Sequence, residues 1–111
     1  MATKFKYQLS QYANNDLDDY LDYLQNKLKN QTATNQYLLA LTDAIDQLIT
    51  FPFSEALLRN PCLKKKGIRV WPVKNTRIYG MVQEDMKTVY ILRILSMRRY
   101  ADRLIDQAVE K

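Results

Sequence analysis

The chain has 111 residues, a net charge of +5 and 47% hydrophobic residues. That length fits one compact core, so we expect residues 1–111 to form a single domain. There is no histidine, and the single cysteine, Cys62, cannot form an intramolecular disulfide. These absences exclude Ser-His-Asp and Cys-His nucleophilic sites and the usual zinc sites, and we expect neither a metal nor another cofactor.

The N-terminus lacks the apolar run of a signal peptide, and no apolar stretch approaches the roughly 20 residues of a membrane span. A lone cysteine also fits a reducing compartment, so we expect a cytoplasmic protein without membrane contacts.

The charge is distributed unevenly between the two halves of the chain. Residues 1–60 carry five Lys/Arg and seven Asp/Glu, or −2, whereas residues 61–111 carry twelve and five, or +7. This predicts a polyanion or an acidic protein as partner, with a solvated basic face as the alternative.

The first half of the sequence predicts a strand followed by two helices. Apolar and polar residues alternate over residues 5–9, which is typical of a strand with one buried face. Ser10 is a candidate N-cap for a first helix whose apolar residues continue at helical spacing to Leu28. A second helix is expected over residues 34–50 and ends before Pro52. The apolar stripes of the two helices predict an antiparallel hairpin packed on a sheet.

The second half predicts a loop over residues 51–66, three strands and a last helix. The strands are expected at residues 68–73, 77–83 and 88–95, and the short turns between them predict an antiparallel meander. The last helix is expected from residue 97 to about residue 109. The order β-α-α-β-β-β-α predicts an α+β fold, with an antiparallel sheet carrying the helical hairpin on one face.

Strand alternation also sorts the side chains between the two faces of the sheet. The wholly apolar sets are expected to face the hairpin, and the opposite face then gathers arginines and aromatic rings. Because guanidinium groups bind phosphates and rings stack on bases, we expect this face to bind RNA. Its predicted members are Arg69, Trp71, Arg77, Tyr79 and Arg93, bordered by Arg98, Arg99 and Tyr100.

Three alternatives give these residues purely structural roles. Arg93 could pair with Glu84, Asp85 or Asp102 and serve stability alone. Trp71 could simply cover the sheet, and the lysines at 64–66 could be a solvated loop. The RNA hypothesis depends on Arg69 and Arg93 pointing together into solvent, away from the helical hairpin.

Several segments together resemble the RelE/ParE family of toxins from bacterial type II toxin–antitoxin systems. The resemblance covers about residues 4–107. It is carried by Tyr7-x-Leu9-Ser10-x-x-Ala13-x-x-Asp16-Leu17-x-x-Tyr20, by Leu48-x-x-x-Pro52, by Gly67-Ile68-Arg69-Val70, by Arg77-Ile78-Tyr79 and by the run from Val89 to Arg99. It implies a RelE-like fold and a toxin that a cognate antitoxin, often acidic, neutralises.

The resemblance implies one of two targets. RelE-like toxins cleave messenger RNA on the ribosome, and ParE-like toxins inhibit DNA gyrase without catalysis. We take the ribosome-dependent endoribonuclease as the principal hypothesis and gyrase inhibition as the alternative. A third hypothesis is a degenerate or differently targeted member whose only function is to bind its antitoxin. The chain departs from both patterns. Ser96 stands where many members have histidine, and Tyr100 follows Arg98-Arg99 where ParE-like chains commonly carry an acid.

For RNA cleavage the resemblance implies four catalytic residues. Arg69 and Arg93 would stabilise the phosphate, and Tyr100 would orient a base or stack on one. One of Lys64, Lys65 and Lys66, with Lys66 preferred, would serve as the base if like charges or burial lower its pKa. Further contacts with RNA are expected from Lys64, Lys65, Trp71, Arg77, Tyr79, Arg98 and Arg99.

Overall fold

A computed structural model of the chain describes residues 4–53, 64–96 and 101–109. The elements follow the predicted order, beginning with strand β1 (Lys6–Leu9), helix α1 (Gln11–Asp22) and a π-helical turn (Tyr23–Lys27). Helix α2 (Gln31–Thr50) precedes strands β2 (Ile68–Val73), β3 (Thr76–Gln83) and β4 (Thr88–Ser96), and helix α3 (Ala101–Val109) follows them. The predicted α+β class is therefore confirmed.

The four strands form one sheet in the order β1-β4-β3-β2. Strands β2, β3 and β4 make the predicted antiparallel meander. Strand β1 pairs in parallel with β4, from Lys6 opposite Thr88 to Leu9 opposite Ile91, so the sheet is mixed rather than wholly antiparallel. The helical hairpin carries the chain from one edge of the sheet to the other. Tyr7, predicted to be buried, is 48% exposed because it lies on this edge strand.

Polar side chains set the starts of both long helices. The Ser10 hydroxyl accepts a hydrogen bond from the Ala13 N–H, as predicted for an N-cap. The Asn30 side chain accepts one from the Ala33 N–H, so α2 begins at Gln31 rather than at residue 34. The cap at Asn30 therefore adds residues 31–33 to the start of the predicted helix.

Helices cover both faces of the sheet and form two hydrophobic clusters. The hairpin-side cluster joins α1 and α2 to the sheet and contains Tyr37, Leu48, Ile78 and Ile91, all nearly or fully buried. The α3-side cluster lies on the other face and contains Ile68, Tyr79, Leu92, Leu95, Ile105 and Ala108. Ile105 and Ala108 supply the contacts of α3 to this cluster, so the face that was predicted to be open is buried under this helix.

The predicted sorting of side chains is right for β3 and wrong for β2 and β4. In β3, Ile78 packs on the hairpin side and Tyr79 on the α3 side, as expected. In β2, Trp71 packs on the hairpin side and Ile68 on the α3 side, the reverse of the prediction. Because both faces are covered by helices, an apolar set does not identify the hairpin face.

An irregularity in the β3–β4 pairing explains the error in β4. Tyr79 pairs with Arg93 and Gly80 with Ile91, so Leu92 is an extra residue without a partner in β3. A bulge of this kind shifts the alternation by one residue. Ile91 and Ile94, which strict alternation places on opposite faces, therefore both belong to the hairpin-side cluster.

Candidate functional site

Arg93, a predicted catalytic residue, is buried and held in an ion pair with Asp16 of α1. Its Nε and Nη2 donate to the two carboxylate oxygens of Asp16, each at 2.7 Å. Its Nη1 donates to the Leu104 carbonyl of α3 at 3.1 Å, and its guanidinium lies 5.1 Å from the centre of the Tyr12 ring. The side chains of Arg93 and Asp16 are 7% and 8% exposed. This cation is therefore compensated inside the protein.

The partner of Arg93 was not among the acids considered from the sequence. Glu84, Asp85 and Asp102 were the candidates, and the actual partner, Asp16, lies 77 residues away. Asp16 is placed there because α1 runs along the edge of β4 beyond the last residue of β1. Its Oδ2 also accepts the Ile94 N–H at 3.1 Å, which satisfies a strand donor at that edge. The structural alternative for Arg93 was therefore the better hypothesis, with the wrong partner.

Arg69, the second predicted phosphate ligand, lies in different surroundings. Its guanidinium is 5.0 Å from the centre of the Phe53 ring, which follows α2. Two residues along the same strand, Trp71 packs on the hairpin side, so Arg69 lies on the hairpin face of β2. Arg93 instead contacts residues of the α3-side cluster. The prediction that the two arginines converge in open solvent is wrong.

The aromatic residues predicted to bind RNA are also buried. Trp71 and Tyr79 are each 4% exposed and belong to opposite clusters. Within the described part of the chain, the indole N–H of Trp71 is a buried side-chain donor without a hydrogen-bond partner. Neither ring can stack on a base, so the structural alternative for Trp71 describes it better.

Among the described residues, the other predicted RNA contacts lie at opposite ends of β2, with the lysines at 64–66 before its start and Arg77 opposite Pro72 near its end. Lys64, Lys65 and Lys66 are exposed and precede Arg69 along the chain, and Arg77 is partly buried in β3. Gly67, with φ of +78°, donates its N–H to the Lys64 carbonyl and closes the turn that leads into β2. The predicted residues Arg98, Arg99 and Tyr100 lie outside the described residues.

Where β1 and β2 begin, two cations lie over aromatic rings, a group of residues that was not predicted from the sequence. The Phe5 and Phe53 rings meet edge to face, with their centres 6.5 Å apart. Lys87 Nζ lies 5.3 Å from the centre of the Phe5 ring, and Arg69 lies over Phe53. We call these four residues the cation–aromatic patch. No sequence signal links them, because they come from four separated segments.

An open cleft of about 890 Å³ lies between the π-helical turn, the start of α2 and the β2–β3 turn. Tyrosines dominate one wall, where Tyr20 stacks on Tyr23 and meets Tyr37 edge to face at 4.7 Å. Burial raises the pKa of Tyr37, the Thr76 hydrogen bond lowers it, and the nearby Tyr20 raises it. Burial, followed by the neighbouring Tyr23, raises the pKa of Tyr20.

Replacing Tyr37 with phenylalanine should lower the free energy of unfolding by about 1 kcal/mol. The Tyr37 hydroxyl bonds Thr76 Oγ1 at 2.9 Å, and Thr76 still donates to the Val73 carbonyl when Tyr37 is changed. Because the folded-state pKa lies above the ordinary value of 10.0, the Tyr37 contribution is complete below that value and is lost as the pH rises. The difference between the two proteins in urea unfolding should therefore stay constant up to about pH 9 and shrink as the pH rises above about 10, and a difference that grows there would contradict this.

Residues 4–53, 64–96 and 101–109 contain no cluster of three metal-ligating side chains. None of the helices in those ranges is long and apolar enough to span a bilayer.

Sequence and structure comparisons assign the chain to a family. A family model described as the ParE toxin of the type II toxin–antitoxin system parDE matches residues 7–100. The chain belongs to this family of ParE toxins. It is therefore a toxin of a type II toxin–antitoxin system, and its resemblance to the RelE/ParE family is confirmed. No curated protein sequence matches it.

Solved structures of related toxins share the fold of this ParE-family chain. The RelBE2 toxin–antitoxin complex of Mycobacterium tuberculosis matches at 18% identity and a TM-score of 0.57, over 85% of this chain and 99% of that one. A chromosomal ParDE system from P. aeruginosa matches at 18% identity and a TM-score of 0.63, over 84% of this chain and 96% of that one. The E. coli toxin RelE in the free state, with two arginines replaced by alanine, matches at 14% identity and a TM-score of 0.58, over 97% of each chain. At these identities the likeness supports the RelE-like fold alone.

Proposed function

We propose that this ParE-family toxin acts in the cytoplasm without catalysis, by binding and inhibiting DNA gyrase, and that a cognate antitoxin neutralises it. The observation that carries the proposal is the buried Arg93–Asp16 ion pair. RNA cleavage through the 2′-hydroxyl needs cations that are free to stabilise charge on the reacting phosphate. The endoribonuclease hypothesis needs both Arg69 and Arg93 to bind the phosphate. Because Asp16 already balances the charge of Arg93, this arginine does not serve as a phosphate ligand.

The chain also offers little for general-base catalysis. It has no histidine. Lys66, the residue proposed as the base, is an exposed residue in the turn before β2. Gyrase inhibition has no such requirement, because it needs a binding surface and no reacting group. The match to the ParE model over residues 7–100 favours the same hypothesis.

Charge supports an acidic antitoxin as the natural partner. The net charge is +5, and residues 61–111 carry twelve basic and five acidic residues. Opposite fields on two proteins speed their encounter and fix their orientation. The M. tuberculosis relative of similar fold was solved as a toxin–antitoxin complex. We therefore expect an acidic protein encoded next to this chain to bind it and block its action.

Two assays with the purified protein separate gyrase inhibition from RNA cleavage. We expect the toxin to inhibit DNA supercoiling by gyrase in a dose-dependent way, in a mixture free of ribosomes. In a translating ribosome mixture, mapping of message ends should show no new cleavage sites. Addition of the antitoxin should restore supercoiling. Ribosome-dependent cleavage with unaffected supercoiling would overturn the proposal and favour the RelE-like alternative.

The control variants follow from the structure. Arg93→Ala is unsuitable as a test of catalysis, because it leaves the Asp16 carboxylate buried without its partner and disturbs the fold. Lys29→Gln removes a single exposed charge in the turn between α1 and α2, far along the chain from the predicted RNA residues. It should inhibit gyrase as well as the unchanged protein does.

A further inference from the structure

The cation–aromatic patch brings flat rings, positive charge and exposure together at one place. Phe53 is 49% exposed. Hydrogen bonds fix the surroundings, since the Phe5 N–H donates to the Ile49 carbonyl and the Lys6 N–H donates to the Lys87 carbonyl, both at 2.8 Å. The rings therefore sit on ordered backbone from β1 and the ends of α2 and the β3–β4 turn. Lys87 is exposed and its Nζ lies 5.3 Å from the centre of the Phe5 ring, so an anion can reach this ammonium.

The backbone at Lys87 adds an independent observation. Lys87 has φ of +49°, a left-handed conformation that glycine or asparagine adopts more readily. In this conformation the lysine places its ammonium over Phe5. A glycine would relax the backbone and leave that ring without its cation.

We propose that the cation–aromatic patch binds single-stranded nucleic acid. The exposed Phe53 ring can stack on an unpaired base, while the exposed Lys87 and Lys6 neutralise neighbouring phosphates. Duplex DNA fits less well because its bases are already stacked. An acidic protein segment is the other candidate, but the cores of protein interfaces are depleted of lysine, and Lys87 lies within the patch with exposed Lys6 beside it.

This inference is separate from gyrase inhibition. It concerns binding by the toxin alone, so its test uses neither gyrase nor ribosomes. The shared chemistry of DNA and RNA single strands is stacking and phosphate pairing. The probes are therefore a fluorescent oligo-dT and a fluorescent oligo-U of equal length. Comparing their affinities shows whether the patch prefers DNA or RNA.

The experiment measures fluorescence anisotropy of each oligonucleotide with the purified toxin as the salt concentration is varied. We expect saturable binding to both probes that weakens with salt. Phe53→Leu should weaken binding by about tenfold or more, because stacking on a ring is lost, while the salt dependence stays unchanged. Lys87→Gly should make the negative slope of log K against log salt shallower by about 0.7, which is the contribution of one phosphate contact on a single strand.

Matched controls make the test specific to the patch. Lys74 also has a positive φ, of 52°, and lies in the turn at the opposite end of β2. Lys74→Gly therefore removes the same charge and relieves the same backbone strain, and it should bind both probes as the unchanged protein does. Tyr23 is 45% exposed, so Tyr23→Leu is the control for Phe53→Leu. Thermal unfolding should show that neither glycine variant is less stable than the unchanged protein.

Three outcomes would overturn the proposal. One is the absence of saturable binding to either probe at low salt. Another is an equal loss of binding in Lys74→Gly and Lys87→Gly, which would indicate a general effect of net charge. The third is patch-dependent binding of poly-glutamate without binding of oligonucleotides, which would assign the surface to an acidic protein.

Discussion

Replacing Asp16 with alanine should destabilise the protein by about 3–5 kcal/mol, because it leaves the Arg93 guanidinium buried without its counter-ion. The Ile94 N–H, which also donates to Asp16, would lose its partner as well. A loss of this size is a large part of the roughly 5–15 kcal/mol that stabilises a typical domain. Urea unfolding followed by far-UV circular dichroism measures the change.

Two variants test whether the ion pair is the cause. Asp19→Ala removes an exposed acid from the same helix, and its effect should stay within about 0.5 kcal/mol. The double change Asp16→Ala and Arg93→Met replaces both charges and should recover much of the lost stability. If Asp16→Ala proved no more destabilising than Asp19→Ala, the buried pair would not hold α1 on the sheet.

Adding a methyl group at Gly80 should destabilise the sheet by about 3 kcal/mol. A Cβ there would lie 2.6 Å from the Tyr90 carbonyl oxygen and 3.2 Å from Cζ3 of Trp71. The oxygen belongs to the central strand β4 and cannot rotate away as a side chain can. Gly80→Ala should therefore force β3 and β4 apart at the bulge, and thermal unfolding would show the loss.

Gly67→Ala is the matched control for this change. Gly67 has no atom within 4 Å of an added Cβ, so only its φ of +78° opposes alanine, at about 1 kcal/mol. Trp71 is the only tryptophan, and it contacts the added group in Gly80→Ala alone. Its fluorescence should change in that variant and not in Gly67→Ala. Equal losses of stability with unchanged fluorescence would contradict the steric explanation.

The sequence predicted the elements of the fold well, because local patterns determine them. Ser10 caps α1 through a hydrogen bond to a residue only three positions away, and the meander β2–β3–β4 follows from short turns. The parallel pairing of β1 with β4 depends on contacts more than 80 residues apart, such as Leu9 with Ile91. No local pattern specifies such a pairing.

The candidate site was harder to predict than the fold, for two physical reasons. Strict alternation fails at a bulge, and the extra residue Leu92 changes the sides to which the following residues point. A charged residue in a strand is also usually exposed, and Arg93 is an exception because Asp16 reaches it from α1. The patch of Phe5, Phe53, Arg69 and Lys87 depends wholly on tertiary structure.

The strand order has a consequence for the synthesis of the toxin on the ribosome. Strand β4 lies between β1 and β3, although it is the last of the four strands to be translated. Until residues 88–96 have emerged, β1 has no neighbour to pair with and the Asp16 carboxylate has no guanidinium to bind. Nascent chains stopped before β4 should therefore remain unfolded and sensitive to protease, so the cell meets a structured toxin only after residues 88–96 have been translated.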